Sequence, residues 1–236
     1  MKMTKENVTK RNHYYPKFLI RNWANKDDKV WLNDIKSNTK KLTPYDNHLF
    51  EKSVYDNDTE TQTSKDDTEL SNFIKKLIND SVDKTQIFNN ERFLQLVFKL
   101  FARQPALNNV LYNSSKNEIL NVSYLIGAKN DKMFDTKEYK RNYNNSLFTN
   151  TNHDISADYV KANYVFYINK TQKPFILPNN TKTLLLPLTP SIIVGISSLT
   201  EDKLNVEIKE ITDEKQITSL NDKLNKNCDD YFISKP

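Results

Sequence analysis

The residues best equipped for chemistry stand close together near the start of the chain, in Asn12-His13-Tyr14-Tyr15-Pro16-Lys17-Phe18-Leu19-Ile20-Arg21-Asn22-Trp23. A neutral imidazole at His13 would serve as a general base. Tyr14 offers a phenol, and the planar fork of Arg21 would hold a phosphate or carboxylate through two parallel bonds. Arg103 is a second guanidinium, placed between an apolar segment and Pro105. An imidazole with two arginines suits phosphate or phosphodiester chemistry, the cations binding the anion while the ring moves a proton. The competing reading is structural: the aromatics are core, and His13 and Arg21 satisfy buried backbone groups.

Other chemistries find few residues to work with. A single cysteine, Cys228, excludes an intramolecular disulfide and a cysteine-based zinc site. His48 stands alone and His153-Asp154 lacks the spacing of a metal pair, so no metal ligand set is expected. HExxH, a Walker loop and a serine elbow are all missing, and two glycines in the chain leave little from which to build a phosphate-cradling loop. The cofactor is left unassigned.

The composition sets the frame. A chain of 236 residues without an evident linker reads as a single domain, 1–236. The net charge of +5 is mildly basic, compatible with nucleic acid as partner, although Lys and Asp/Glu alternate along most of the chain as on a solvated surface. A protein partner or a second copy of the chain is equally compatible. No apolar run approaches the ~20 residues of a membrane span, and Met1–Glu6 begins no secretory h-region, so a soluble, cytoplasmic protein with no membrane partner is expected.

The elements that must position these residues follow from periodicity. Pro16 suits a helix start, and a short helix carries Phe18, Leu19 and Trp23. The alternation in 29–35, a turn at 36–38 and the segment 39–43 read as a β-hairpin. The polar stretch from Asp46 to Asp67 reads as a loop or the approach to a helix. That helix starts near Thr68, with Leu70, Phe73, Ile74, Leu77 and Ile78 as its apolar stripe. Glu69 in its first turn is a candidate substrate-binding group or a simple complement to the helix dipole. Residues 90–101 form the most apolar helix, ended by Pro105, and helix continues over 106–120. Segment 122–127 is ambiguous. Tyr139 and Tyr143 belong to an exposed helix and dock on the core, in preference to stacking on bases. The last third reads as strands at 163–169, 174–177, 183–188 and 192–196, with an edge strand at 204–211. A helix from Asp213 to about Cys228 and a short strand at Tyr231-Phe232-Ile233 follow.

The run His13-Tyr14-Tyr15-Pro16-Lys17-Phe18-Leu19-Ile20-Arg21-Asn22-Trp23 resembles the opening signature of the bacterial family catalogued as domain of unknown function 4238. Val54-Tyr55-Asp56, Arg103-Gln104-Pro105 and Pro187-Leu188-Thr189-Pro190 resemble later motifs of the same family, and Asn221 and Cys228 suit its terminal helix. The resemblance implies a fold and candidate residues, and no reaction. It also implies a departure: Asn179 stands where the family pattern has Asp. An amide cannot act as a general base.

The expected fold is therefore α+β. It has an N-terminal short helix and β-hairpin, a central helical layer, and a C-terminal mainly antiparallel sheet with a terminal helix. The expected site joins His13, Arg21 and Arg103 as catalytic residues with Tyr14, Glu69 and Asn179 as substrate-binding residues. Two functions compete. One is a nuclease-like, nucleic-acid-directed effector of a phage-defence or toxin-type conflict system. The other is a non-catalytic binding or partner-interaction module with a structural polar pocket.

Overall fold

The computed structural model describes residues 12–51, 57–79, 82–105, 108–109, 112–113, 136–149, 162–180, 182–199 and 204–236. Val54-Tyr55-Asp56, the segment 122–127, most of 106–120 and His153-Asp154 lie outside the described residues.

The described chain opens with β1 (Asn12–His13), α1 (Lys17–Ile20) and a 3-10 turn over Arg21–Trp23. Pro16 caps α1 from an extended conformation (φ −55°, ψ 141°), which its ring favours, and so it turns the chain into the helix. β2 (Lys29–Asp34) and β3 (Thr39–Pro44) form the expected hairpin, Asn38 taking the positive φ of 52° near its tip. β4 (Phe50–Glu51) then returns to pair with β1, placing His13 opposite Phe50.

The helical layer comprises α2 (Asn57–Ile78), α3 (Lys84–Phe88), α4 (Glu91–Ala102) and α5 (Lys137–Thr149). α2 starts well ahead of Thr68, and the reason is physical. Its buried stripe runs Thr59, Thr63, Asp66, Leu70, Ile74 and Leu77, so helical spacing persists while the first three positions are polar. Thr59 Oγ1 donates to Asn145 Oδ1 of α5 at 3.1 Å. A polar helix–helix contact thus replaces the apolar one that hydropathy would register. α3 and α4 have side-chain N-caps: Asp83 accepts from Thr85 N and Asn90 from Phe93 N. In α5, Tyr139 and Tyr143 pack edge-on against the buried Tyr112 ring, at 6.4 and 5.2 Å.

The remaining elements are β5 (Ala162–Asn169), β6 (Leu177–Pro178), β7 (Leu185–Thr189), β8 (Ile192–Leu199), β9 (Asn205–Ile211), α6 (Glu214–Lys226) and β10 (Tyr231–Ser234). Among the described residues one sheet runs β7-β8-β5-β9, antiparallel except for the parallel β5–β9 pair, and β9 is an edge as expected. The second runs β3-β2-β10-β6, wholly antiparallel. The strand expected at 174–177 is reduced to Leu177–Pro178 and pairs with β10. The fold is α+β.

β5 and β8 explain the order of the layers. Tyr164, Phe166 and Ile168 alternate with Tyr167, and Ile192, Val194 and Ile196 alternate with Ile193. The first set joins the main core under α2, α3 and α4, while Ile193 meets Phe175 and the α6 residues Ile217 and Leu224. Burial on both faces is why these strands read as continuous apolar runs. Phe88 and Phe166, with ring centroids 4.2 Å apart, tie the helical layer to the sheet.

Candidate functional site

Two polar regions arise where the opening hook, residues 12–23 from β1 through the 3-10 turn, meets the C-terminal elements. The first is a seam around Tyr231 of β10. Its phenol oxygen accepts the Leu49 N–H at 3.2 Å and bonds to Tyr14, and Tyr14 N in turn donates to Leu49 O at 3.2 Å. Burial pushes the Tyr231 phenol above its ordinary pKa, with the Leu49 and Tyr14 bonds opposing. His48 stacks edge-on against the Tyr231 ring at 5.8 Å, and burial lowers its pKa, so the neutral ring is favoured.

Asn179, in the turn after β6, closes the seam. It is buried, and its Oδ1 faces Cys228 Sγ at 2.9 Å, Asp230 N at 3.3 Å and Tyr231 N at 3.4 Å. Its own N–H donates to Tyr231 O at 2.9 Å. Cys228 Sγ also lies 2.8 Å from Tyr231 O, and burial raises the thiol's pKa, which suits a neutral donor and not a nucleophilic thiolate. Asn179 is therefore an acceptor that clips the chain before β10 to the turn after β6. A carboxylate would accept at the same place, so the oxygen shared by Asp and Asn explains why the amide is accommodated here.

The helical side of the seam comes from the end of α4. Gln104 is buried and its Nε2 donates to Tyr14 O at 3.4 Å. Arg103, also buried, sends Nη1 to Asp67 Oδ1 at 2.6 Å and Nη2 to Thr63 O at 3.5 Å. Burial raises the Asp67 carboxyl and the guanidinium beside it pulls the other way. Beside Asp67 in the chain, Asp66 binds Arg92 at 2.9 Å and Lys99 at 2.8 Å, and Glu69 binds Arg92 at 2.7 Å. Charges on α2 and α4 therefore compensate one another.

The expected site residues divide accordingly. Tyr14 and Asn179 meet at Tyr231. His13 precedes Tyr14 in the chain and packs its ring on Phe50 at 5.5 Å, while Arg103 adjoins Gln104. Arg21 is exposed and pairs with the exposed Asp28 at 3.2 Å, and Glu69 pairs with Arg92. Tyr231, Gln104 and Asp67 were not among the expected residues. Their signal, buried hydrogen bonding to chain segments far away, is absent from local periodicity.

The second region is a cavity of about 340 Å³ beside the hook. Asn22 forms one wall, the loop after β5 another through Asn169 and Gln172, and the β7–β8 turn a third through Pro190 and Ser191. Lys235 stands at the rim. The walls are tightly fastened. Trp23 Nε1 donates to Phe175 O at 2.7 Å, Phe175 N to Pro190 O at 2.8 Å and Asn169 N to Ser191 O at 2.8 Å. Asn169 Oδ1 accepts from both Thr171 N and Oγ1 at 2.8 Å, and its Nδ2 donates to Lys173 O at 2.6 Å. Asn22 enters the cavity wall because the buried Trp23 next to it is anchored.

Among the described residues no group of three His, Cys, Asp or Glu side chains is placed to hold a metal ion, and no helix is long and apolar enough to cross a membrane. No curated protein and no solved structure matches the chain. The hook, the helical layer, β5 and the Asn179 turn all fall within a family match covering residues 11–180, and the chain belongs to the family described as protein of unknown function, DUF4238.

Proposed function

We propose that this chain is a non-catalytic binding or partner-interaction module whose signature residues hold the fold around a structural polar seam. The observation that carries this reading is the Asn179 oxygen, which faces a thiol and two backbone N–H groups. An acceptor so occupied has no capacity left for proton transfer, and an amide has none to begin with. The Arg103–Asp67 pair supports the same reading, since a guanidinium already bound to a carboxylate has less positive field to offer a phosphate. The test is incubation of DNA and RNA with the purified chain, with and without divalent metal, alongside His13→Ala and Arg103→Ala. No cleavage by the parent chain, with loss of folding stability in the variants, is the expected result.

The second reading is a nuclease-like effector directed at nucleic acid, a hydrolase of phosphodiester bonds within a phage-defence or toxin-type conflict system. It is favoured by the net charge of +5 and by the half-buried His13 beside Tyr14. Cleavage by the parent chain that disappears in a folded His13→Ala variant would replace the first reading with this one.

A further inference from the structure

We propose that the cavity between Asn22, the β7–β8 turn and Lys235 binds a small oxyanion, the phosphate or carboxylate group of a small molecule. The inference rests on the reading of the chain as a binding module and names what this cavity would take.

Charge is the first argument. The cavity's lining includes Lys235 and no Asp or Glu. Lys235, like other surface lysines such as Lys17 and Lys223, has no acidic partner among the described residues, so its charge is not spent on an ion pair. A cation at the mouth of a concave, acid-free surface attracts anions.

Unused donors are the second. Asn22 Nδ2 is sealed from solvent and has no acceptor among the described residues. Buried amide groups are normally paired, so this one is short of an acceptor that an oxyanion would supply after rotation of the soft terminal torsion. Gln172 adds an amide donor from the loop after β5. Pro174, Pro190 and Ile78 give an apolar surface for a short carbon skeleton, and about 340 Å³ suits a small molecule. The fastening of both loops and of Trp23 means that the shape exists before the ligand arrives.

The test is calorimetric titration of the whole chain with inorganic phosphate and with acetate at constant ionic strength. Lys235→Gln, at an exposed position, and the near-isosteric Asn22→Asp are titrated alongside, with circular dichroism to verify folding. Saturable binding of phosphate alone assigns a phosphate site, and saturable binding of both anions assigns oxyanions generally. In either case Lys235→Gln is expected to weaken binding about tenfold, one charge-assisted contact's worth, and Asn22→Asp to weaken it further through repulsion. No saturable binding by the parent chain, or equal affinity in the folded variants, would overturn the proposal. The nucleic-acid cleavage assay reads the binding-module proposal independently, so the two can fail separately.

Discussion

The indole nitrogen of Trp23 donates to the carbonyl of Phe175 at 2.7 Å, joining positions 152 apart in the chain. Both residues are fully buried. This bond holds the opening hook against the loop that leads to β6, and with it the Asn22 wall of the cavity. Trp23→Phe keeps most of the apolar volume and leaves the Phe175 carbonyl without its indole donor. We expect a loss of about 1–3 kcal/mol, measured by urea denaturation.

Arg103 and Asp67 should behave as a unit. Removing the guanidinium in Arg103→Met leaves a largely buried carboxylate without its partner, and a cost of about 3 kcal/mol follows. Asp67 retains some solvent contact, with 26% of its side chain exposed, which keeps the figure at the low end. Arg103→Met with Asp67→Leu should cost less than the sum of the single changes, by about 1–3 kcal/mol in a double-mutant cycle. Strict additivity would show that the pair contributes no coupling.

Tyr15 is fully buried, burial drives its phenol pKa far above the ordinary value, and among the described residues its hydroxyl has no hydrogen-bond partner. Tyr15→Phe should therefore be neutral or stabilising by up to about 1 kcal/mol. The same burial sets an alkaline limit. Tyr15, Tyr231 and Cys228 all have folded pKa values raised above their unfolded ones. Between the two values the native state holds more protons, so stability is full below about pH 8.5 and falls as the pH climbs past the unfolded thiol and phenol values. Tyr15→Phe should flatten part of that decline in a melting-temperature profile.

His48 has the opposite sign. Its folded pKa is depressed by burial, so its contribution is full above the unfolded value of about 6.5 and is lost as the pH falls through the folded value. His48→Gln should remove that part of the acid-side decline. An unchanged pH profile would exclude His48 as its source.

The hairpin, the apolar helix α4, the alternating strands and α6 were legible because each writes its own period into the residues. The first turns of α2 were not, since Thr59, Thr63 and Asp66 occupy its buried stripe and hydropathy counts them as surface. Nor was the place of β10 between β2 and β6, because pairing partners so distant in sequence leave no local trace. Of the site, the residue types around Tyr14 and Asn179 could be read, but their employment could not. Whether an arginine is offered to a ligand or bound to Asp67 depends on which α2 carboxylate comes to face α4. Asn22 lay within the signature and passed unselected, because an amide declares nothing until its surroundings show it lacking an acceptor.

The stability of Asn179 variants tests most directly whether the polar seam is structural. Asn179→Asp keeps the accepting oxygen and should stay within about 1 kcal/mol of the parent chain at neutral pH, whereas Asn179→Leu removes the acceptor shared by two backbone donors, the thiol keeping the Tyr231 carbonyl, and should cost about 2–4 kcal/mol. Urea denaturation of the three proteins gives the answer. That order supports a structural acceptor; an Asn179→Leu variant as stable as the parent chain would contradict it.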